Sequence, residues 1–198
     1  IAAEVLPQWE HLEWGAVSSD EFASIAEETG HIIKIGKWLI REVCSMYQKW
    51  LNKGLPNIKI AIYFSGMQFL ESNFVENIRD TINEYELDPH FLIMKINESI
   101  LMENVDKVIE DIKRLQSFGI QIAIDNFGMG YSLLPYLNSF NIDILNLDGS
   151  CIKKINEDES NTVTTRHIIN IAKELKIKLV AKQIETWEQL SFLRELKC

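Results

Sequence analysis

The chain is poor in the residues that would place it in several classes. Cys44, Cys151 and Cys198 are odd in number and far apart among 198 residues. They build neither a disulfide framework nor a zinc knuckle, which points to a reducing compartment. Cys44 and Cys151 read as small apolar filler, and Cys198 as a terminal thiol. Only four prolines and nine glycines occur, so no linker divides the sequence, and one domain over residues 1–198 is expected. No run approaches 18 consecutive apolar residues, so no bilayer-spanning helix is expected. The opening stretch, Ile1–Glu10, lacks the basic and then apolar pattern of a signal peptide. It also lacks an initiator Met and reads as a processed or excised segment. Positive charge is scarce as well: 20 Lys plus Arg stand against 29 Asp plus Glu, for a net charge of -9. A DNA or RNA polymer is therefore not an expected partner. The four histidines, His11, His31, His90 and His167, have no metal-ligand spacing.

What is present is a 46% hydrophobic chain in which apolar runs alternate with helical patterns. Ile58–Phe64 alternates as a strand should. Phe91–Ile96, Ile120–Ile124, Ile142–Leu147 and Ile177–Ala181 are further short apolar runs, and Ile1–Leu6 is apolar apart from Glu4. Helical spacing marks a stretch carrying Phe22, Ile25 and Ala26 that stops at Gly30, then His31–Lys53 and Phe74–Tyr85. The same spacing marks Val105–Leu115 closed by Gly119, then Thr162–Leu175 and Trp187–Leu196. A short helix is expected over Ser132–Leu137. Apolar strands separated by helices predict an α/β fold with a parallel sheet.

Two closures compete, an open doubly wound sheet and a (β/α)8 barrel. The first strand is followed by EVLPQWEH rather than a Gly-rich phosphate turn, which disfavours the doubly wound type. Polar residues gather just after the strands: Glu4; Tyr63 and Ser65; Lys95, Asn97 and Glu98; Asp125 and Asn126; Asn146 and Asp148; Lys182, Gln183 and Glu185. A barrel would bring such positions to its C-terminal rim. About six units are too few for a complete barrel, so an end unit is expected to be missing.

These residues carry a family signature. EVLPQW (Glu4–Trp9) stands where the EAL family has Glu-Ala-Leu-Leu-Arg-Trp. MKINES (Met94–Ser99) stands for the Glu-Ile-Thr-Glu-Ser segment, and AIDNFGMGYS (Ala123–Ser132) for Ala-Ile-Asp-Asp-Phe-Gly-Thr-Gly-Tyr-Ser. LNLD (Leu145–Asp148) stands for Leu-Lys-Ile-Asp, and AKQIET (Ala181–Thr186) for Ala-Glu-Gly-Val-Glu-Thr. With EWGAVSSDEFASIAEETG (Glu13–Gly30) and IAIYFSGMQF (Ile60–Phe69), the ordered matches cover nearly the whole chain. The chain thus resembles the EAL family, barrel phosphodiesterases that hydrolyse cyclic di-GMP. The resemblance implies a modified TIM (β/α)8 barrel with its first strand and last strand–helix unit absent here. It also implies a bacterial, cytoplasmic setting and a larger multidomain parent. The implied partners are cyclic di-GMP, a second copy in a homodimer, or an adjacent diguanylate cyclase-like or sensory domain.

The family's chemistry is two-metal hydrolysis with Mg2+ or Mn2+. Carried over by position, Glu4 and Asp125 keep two metal ligands. Tyr63 replaces an Asn ligand, Lys95 a Glu, and Asn126 an Asp; Asn146 replaces the catalytic Lys and Lys182 the Glu proposed as base. Glu98, Asp148 and Glu185, which brace the site in the family, survive. Leu6, Gln8, Asp148 and Glu185 are the ligand-binding candidates, with Gln8 in place of an Arg that meets the ligand's phosphate. The charge-changing replacements at 95, 126, 146 and 182 together add four positive charges. A protonated Lys has no lone pair to donate. An ammonium about 4 Å from a divalent ion is repelled by roughly 8 kcal/mol at an effective dielectric near 20. No catalytic residue, bound metal or other cofactor is therefore expected; Mg2+ or Mn2+ would matter only if the family activity survived. Lys95 is expected to pair with Glu4 or Asp125 as a fixed substitute for a cation. The reading is a catalytically degenerate regulatory or dimerising module. The alternatives are a metal-independent cyclic di-GMP receptor and an active phosphodiesterase.

Overall fold

Apolar side chains repeating every three or four residues need a surface to cover, and here parallel strands supply it. The structure is a computed structural model and describes residues 2–128, 137–153, 155 and 158–198. It divides into two units, Ile1–Lys95 with Asp106–Gln121, and Ile96–Val105 with Ile122–Cys198.

In the first unit β1 (Ala2–Val5) leads into a hairpin of β2 (Trp9–His11) and β3 (Gly15–Val17). Helix α1 (Ser19–Glu28) is capped by Ser18, whose Oγ accepts the Glu21 N–H at 3.3 Å. Helix α2 (His31–Asn52) follows Gly30, whose φ of 70° breaks the chain between the two helices. It buries Ile32, Gly36, Leu39, Ile40, Val43, Cys44 and Tyr47, the stripe that its spacing predicts. Strand β4 (Lys59–Tyr63) lies parallel to β1 with Glu4 opposite Ala61. Helices α3 (Gly66–Phe69) and α4 (Phe74–Glu84) follow, then a 3-10 turn, Pro89–Phe91. Strand β5 (Leu92–Asn97) is parallel to β4, with Tyr63 opposite Lys95. The chain then passes through α5 (Ile100–Glu103) of the second unit and returns as α6 (Val105–Ser117). Phe64, Phe69 and Phe74 pack at ring separations of 4.7 and 5.4 Å in the core. Full burial of a side chain of that size contributes about 1.5–3 kcal/mol.

In the second unit β6 (Gln121–Phe127) is followed by α7 (Leu137–Phe140), β7 (Ile144–Leu147) and α8 (Gly149–Lys153). Helix α9 (Glu159–Glu174), β8 (Lys178–Ala181) and α10 (Trp187–Glu195) complete it. β7 is parallel to both β6 and β8. Thr186 and Gln189 close α10 with a reciprocal capping box.

The expected strands are present, with ends shifted by a residue or a few. Two features differ from the sequence reading. β1 and β8 are not buried on both faces but alternate exposed and half-buried residues. The β2–β3 hairpin was not expected, because three-residue strands show too little alternation to read. His11 closes its turn, Nδ1 accepting the N–H groups of Glu13 and Trp14 at 3.2 and 3.3 Å. Of the helix expected over Ser132–Leu137, only Leu137 is described, and it opens α7; residues 132–136 lie outside the described residues, as do Met129 and Gly130. Among the described residues no helix is long and apolar enough to cross a membrane.

Candidate functional site

The strand ends of each unit carry a cluster of charged side chains. In the first unit Glu4 stands on β1 and Lys95 on β5, with β4 between them in the pairing order. The Lys95 ammonium reaches back to Glu4 Oε1 in an ion pair. The pair is asymmetric: the Lys95 side chain is 4% exposed and that of Glu4 42%. A buried ammonium is stable only when satisfied, and the carboxylate that serves it keeps a wet side. Tyr63 ends β4 beside this pair in register, opposite Lys95, and is half-buried. Leu6 and Gln8, past the end of β1, are exposed.

In the second unit Asp125 is buried near the end of β6, its side chain 9% exposed. Its Oδ1 accepts from the Lys182 ammonium at the exit of β8 and from Asn146 Nδ2 on β7 at 3.2 Å. Three neighbouring strands thus converge on one carboxylate oxygen. The backbone explains why Asp125 alone of its dipeptide turns inward. β6 is irregular between Ile124 and Phe127, and Asn126 sits at φ 52° with its side chain exposed. Asn is one of the few residues that adopts this conformation at low cost. The position that reads as a second metal ligand is therefore turned to solvent.

The remaining candidates brace loops. Glu98 is buried and its Oε2 accepts the Gly128 N–H at 3.4 Å. Asp148 Oδ1 accepts the Ser150 N–H at 2.8 Å, holding the turn into α8. Glu185 is exposed, and its N–H donates to Gln189 Oε1 at 2.8 Å. Cys151 packs beneath Gly128, where an added Cβ would lie 2.8 Å from its Sγ. Burial, then the charge of Asp148, pushes its thiol up, which leaves it a packing residue.

Gln183 is the residue of consequence that the sequence reading placed only among the rim polars. Its φ is 55°, and its side chain lies against Gly149. A Cβ on Gly149 would stand 2.6 Å from Gln183 Cδ and 3.3 Å from its Cβ. The one signal for it in the sequence is the position itself, where the resembling motif has Gly.

Each cluster thus holds one carboxylate engaged by a lysine ammonium of its own unit.

The EAL domain family model matches residues 1–198. The chain is 33% identical over 198 residues to the bifunctional diguanylate cyclase/cyclic di-GMP phosphodiesterase MucR of Pseudomonas aeruginosa, covering 100% of this chain and 29% of that protein. It is 32% identical over 195 residues to the cyclic di-GMP phosphodiesterase NbdA of the same organism, covering 98% of this chain and 25% of that one. The chain thus spans less than a third of these curated relatives. Among solved structures, the phosphodiesterase of that MucR in complex with cyclic di-GMP superposes with a TM-score of 0.91 at 33% identity, covering 98% of this chain and 79% of that one. The fold is that of the EAL barrel type.

Proposed function

The chain belongs to the EAL domain family of cyclic di-GMP signalling, and we propose that it is a member that no longer hydrolyses the dinucleotide and works by contact. One observation carries this reading. In each unit the acidic group that the family would offer to a metal is neutralised by a lysine of the same chain, Glu4 by Lys95 and Asp125 by Lys182. The residues do not fit Mg2+ or Mn2+, because the Lys95 ammonium is buried and an entering divalent ion would have to displace it. The Lys and the Glu that would serve catalysis are Asn146 and Lys182, and both are committed to Asp125. In this reading the segment regulates or dimerises with an attached cyclase-like or sensory domain in a bacterial cytoplasm. The pairing of diguanylate cyclase and phosphodiesterase activities named for MucR supports an attached cyclase-like domain.

A second reading, a metal-independent cyclic di-GMP receptor, is favoured by the added positive charge and by Lys182, whose side chain keeps 30% exposure. It is weakened at Gln8, which cannot offer the bidentate phosphate contact of an Arg. Incubation of the purified chain with cyclic di-GMP and Mn2+, followed by chromatography for the linear dinucleotide, tests the proposal. Absence of product is expected, and metal-dependent product would overturn it. Calorimetric titration with and without chelator separates the two readings: tight, chelator-insensitive binding selects the receptor, and no binding selects the contact module.

A further inference from the structure

From the geometry at the exits of β7 and β8 we infer that Gln183 is an occluding side chain that restricts nucleotide access to the turn carrying Asp148. The exit of β8 splits its consecutive residues between two tasks. Lys182 turns to Asp125. Gln183 follows at φ 55°, a backbone state that a residue with a Cβ occupies only when its surroundings hold it there. Its side chain lies across Gly149, next in the chain to Asp148 and the first residue of α8. Gly149 is buried while Gln183 itself is exposed, so the amide forms a cover over the turn. The absence of a side chain at 149 is what admits it, since a Cβ there would come within 2.6 Å of Gln183 Cδ. The Asp148 carboxylate caps its own turn, Oδ1 accepting the Ser150 N–H at 2.8 Å. A ligand approaching Asp148 over Gly149 meets the Gln183 amide first. The ligand class is a phosphodiester dinucleotide, so the inference rests on reading Asp148 and Glu185 as ligand-binding positions and adds an element of exclusion to that site.

The test compares the whole chain with its Gln183→Gly and Gln183→Asn variants. Both replacements tolerate the left-handed backbone; the Gly variant removes the amide, and the Asn variant draws it back by one methylene. Thermal melting first establishes that each variant folds, and the Asn variant serves if the Gly variant does not. Calorimetric titration with cyclic di-GMP is expected to show binding tightened by about tenfold or more in the Gly variant and by a smaller factor in the Asn variant. Binding that appears only in the variants also supports the inference. Wild-type binding with unchanged affinity in the variants overturns the occlusion and leaves the ligand reading standing. No binding in any form overturns the ligand reading, and the occlusion falls with it.

Discussion

The ion pair between Glu4 and Lys95 makes a quantitative prediction because its two ends are so differently exposed. Glu4→Gln removes the negative charge from an ammonium that is 4% exposed. Removing one partner of a fully buried pair costs about 3–5 kcal/mol, and an exposed pair contributes about 0.2–1 kcal/mol. With one end buried and the other 42% exposed, the expected cost of Glu4→Gln is intermediate, about 2 kcal/mol. Lys95→Met leaves an unbranched side chain one atom shorter and discards the charge. The Glu4 carboxylate it leaves behind can rehydrate through its exposed face. The diagnostic quantity is the coupling in a double-mutant cycle of Glu4→Gln, Lys95→Met and the double variant, which isolates the pair from every other contact either residue makes. A coupling of roughly 1–2 kcal/mol is expected, read from urea unfolding midpoints with unchanged m values. A coupling below about 0.3 kcal/mol would place the pair at the level of ordinary surface ion pairs and refute the claim that Lys95 substitutes for a structural cation. The coupling is also expected to persist in about 0.5 M salt, because the ammonium lies out of reach of the solvent screen.

Further outcomes follow from the rest of the structure. Gly119→Ala is expected to destabilise by about 2 kcal/mol or more, since φ there is 97° and the new methyl would lie 2.6 Å from His90 Cε1; thermal or urea melts measure it. Ser18→Ala removes the oxygen that accepts the Glu21 N–H and is expected to cost about 1 kcal/mol in the same assay. Burial pushes the Cys44 thiol up to about 12, so at pH 8 roughly one molecule in ten thousand carries its thiolate. Iodoacetamide should therefore leave Cys44 unmodified in the folded chain and modify it in urea, as peptide mass spectrometry would show.

How much of this was legible in the sequence depends on how far apart the causes lie. Helix α2 was readable because its buried stripe from Ile32 to Tyr47 repeats over 22 residues, long enough for period to outweigh noise. The β2–β3 hairpin was not, because its shape rests on His11 accepting backbone N–H groups rather than on alternation. Helices α3, α5 and α8 escaped because four or five residues are too few to show a period. Glu4, Lys95, Asp125 and Lys182 were legible through the motifs that contain them, and so was the sense of their charges. Which lysine meets which carboxylate was only partly so, because it depends on strand order and register. The cover of Gln183 over Gly149 lay beyond reach, since it joins two loops 34 positions apart through a backbone angle. Asn126 shows the same limit: its identity suggested a weakened ligand, and its φ turns the side chain to solvent altogether.

Electron paramagnetic resonance of Mn2+ tests the central claim most directly, because the hydrated free ion gives a strong signal that binding quenches. With about 0.2 mM protein and increasing Mn2+, the free-ion signal is expected to rise in proportion from the first addition, as it does in buffer. Quenching of about two equivalents per chain would mean that both ammonium groups yield to metal, and the account of a lysine-neutralised EAL domain would be wrong.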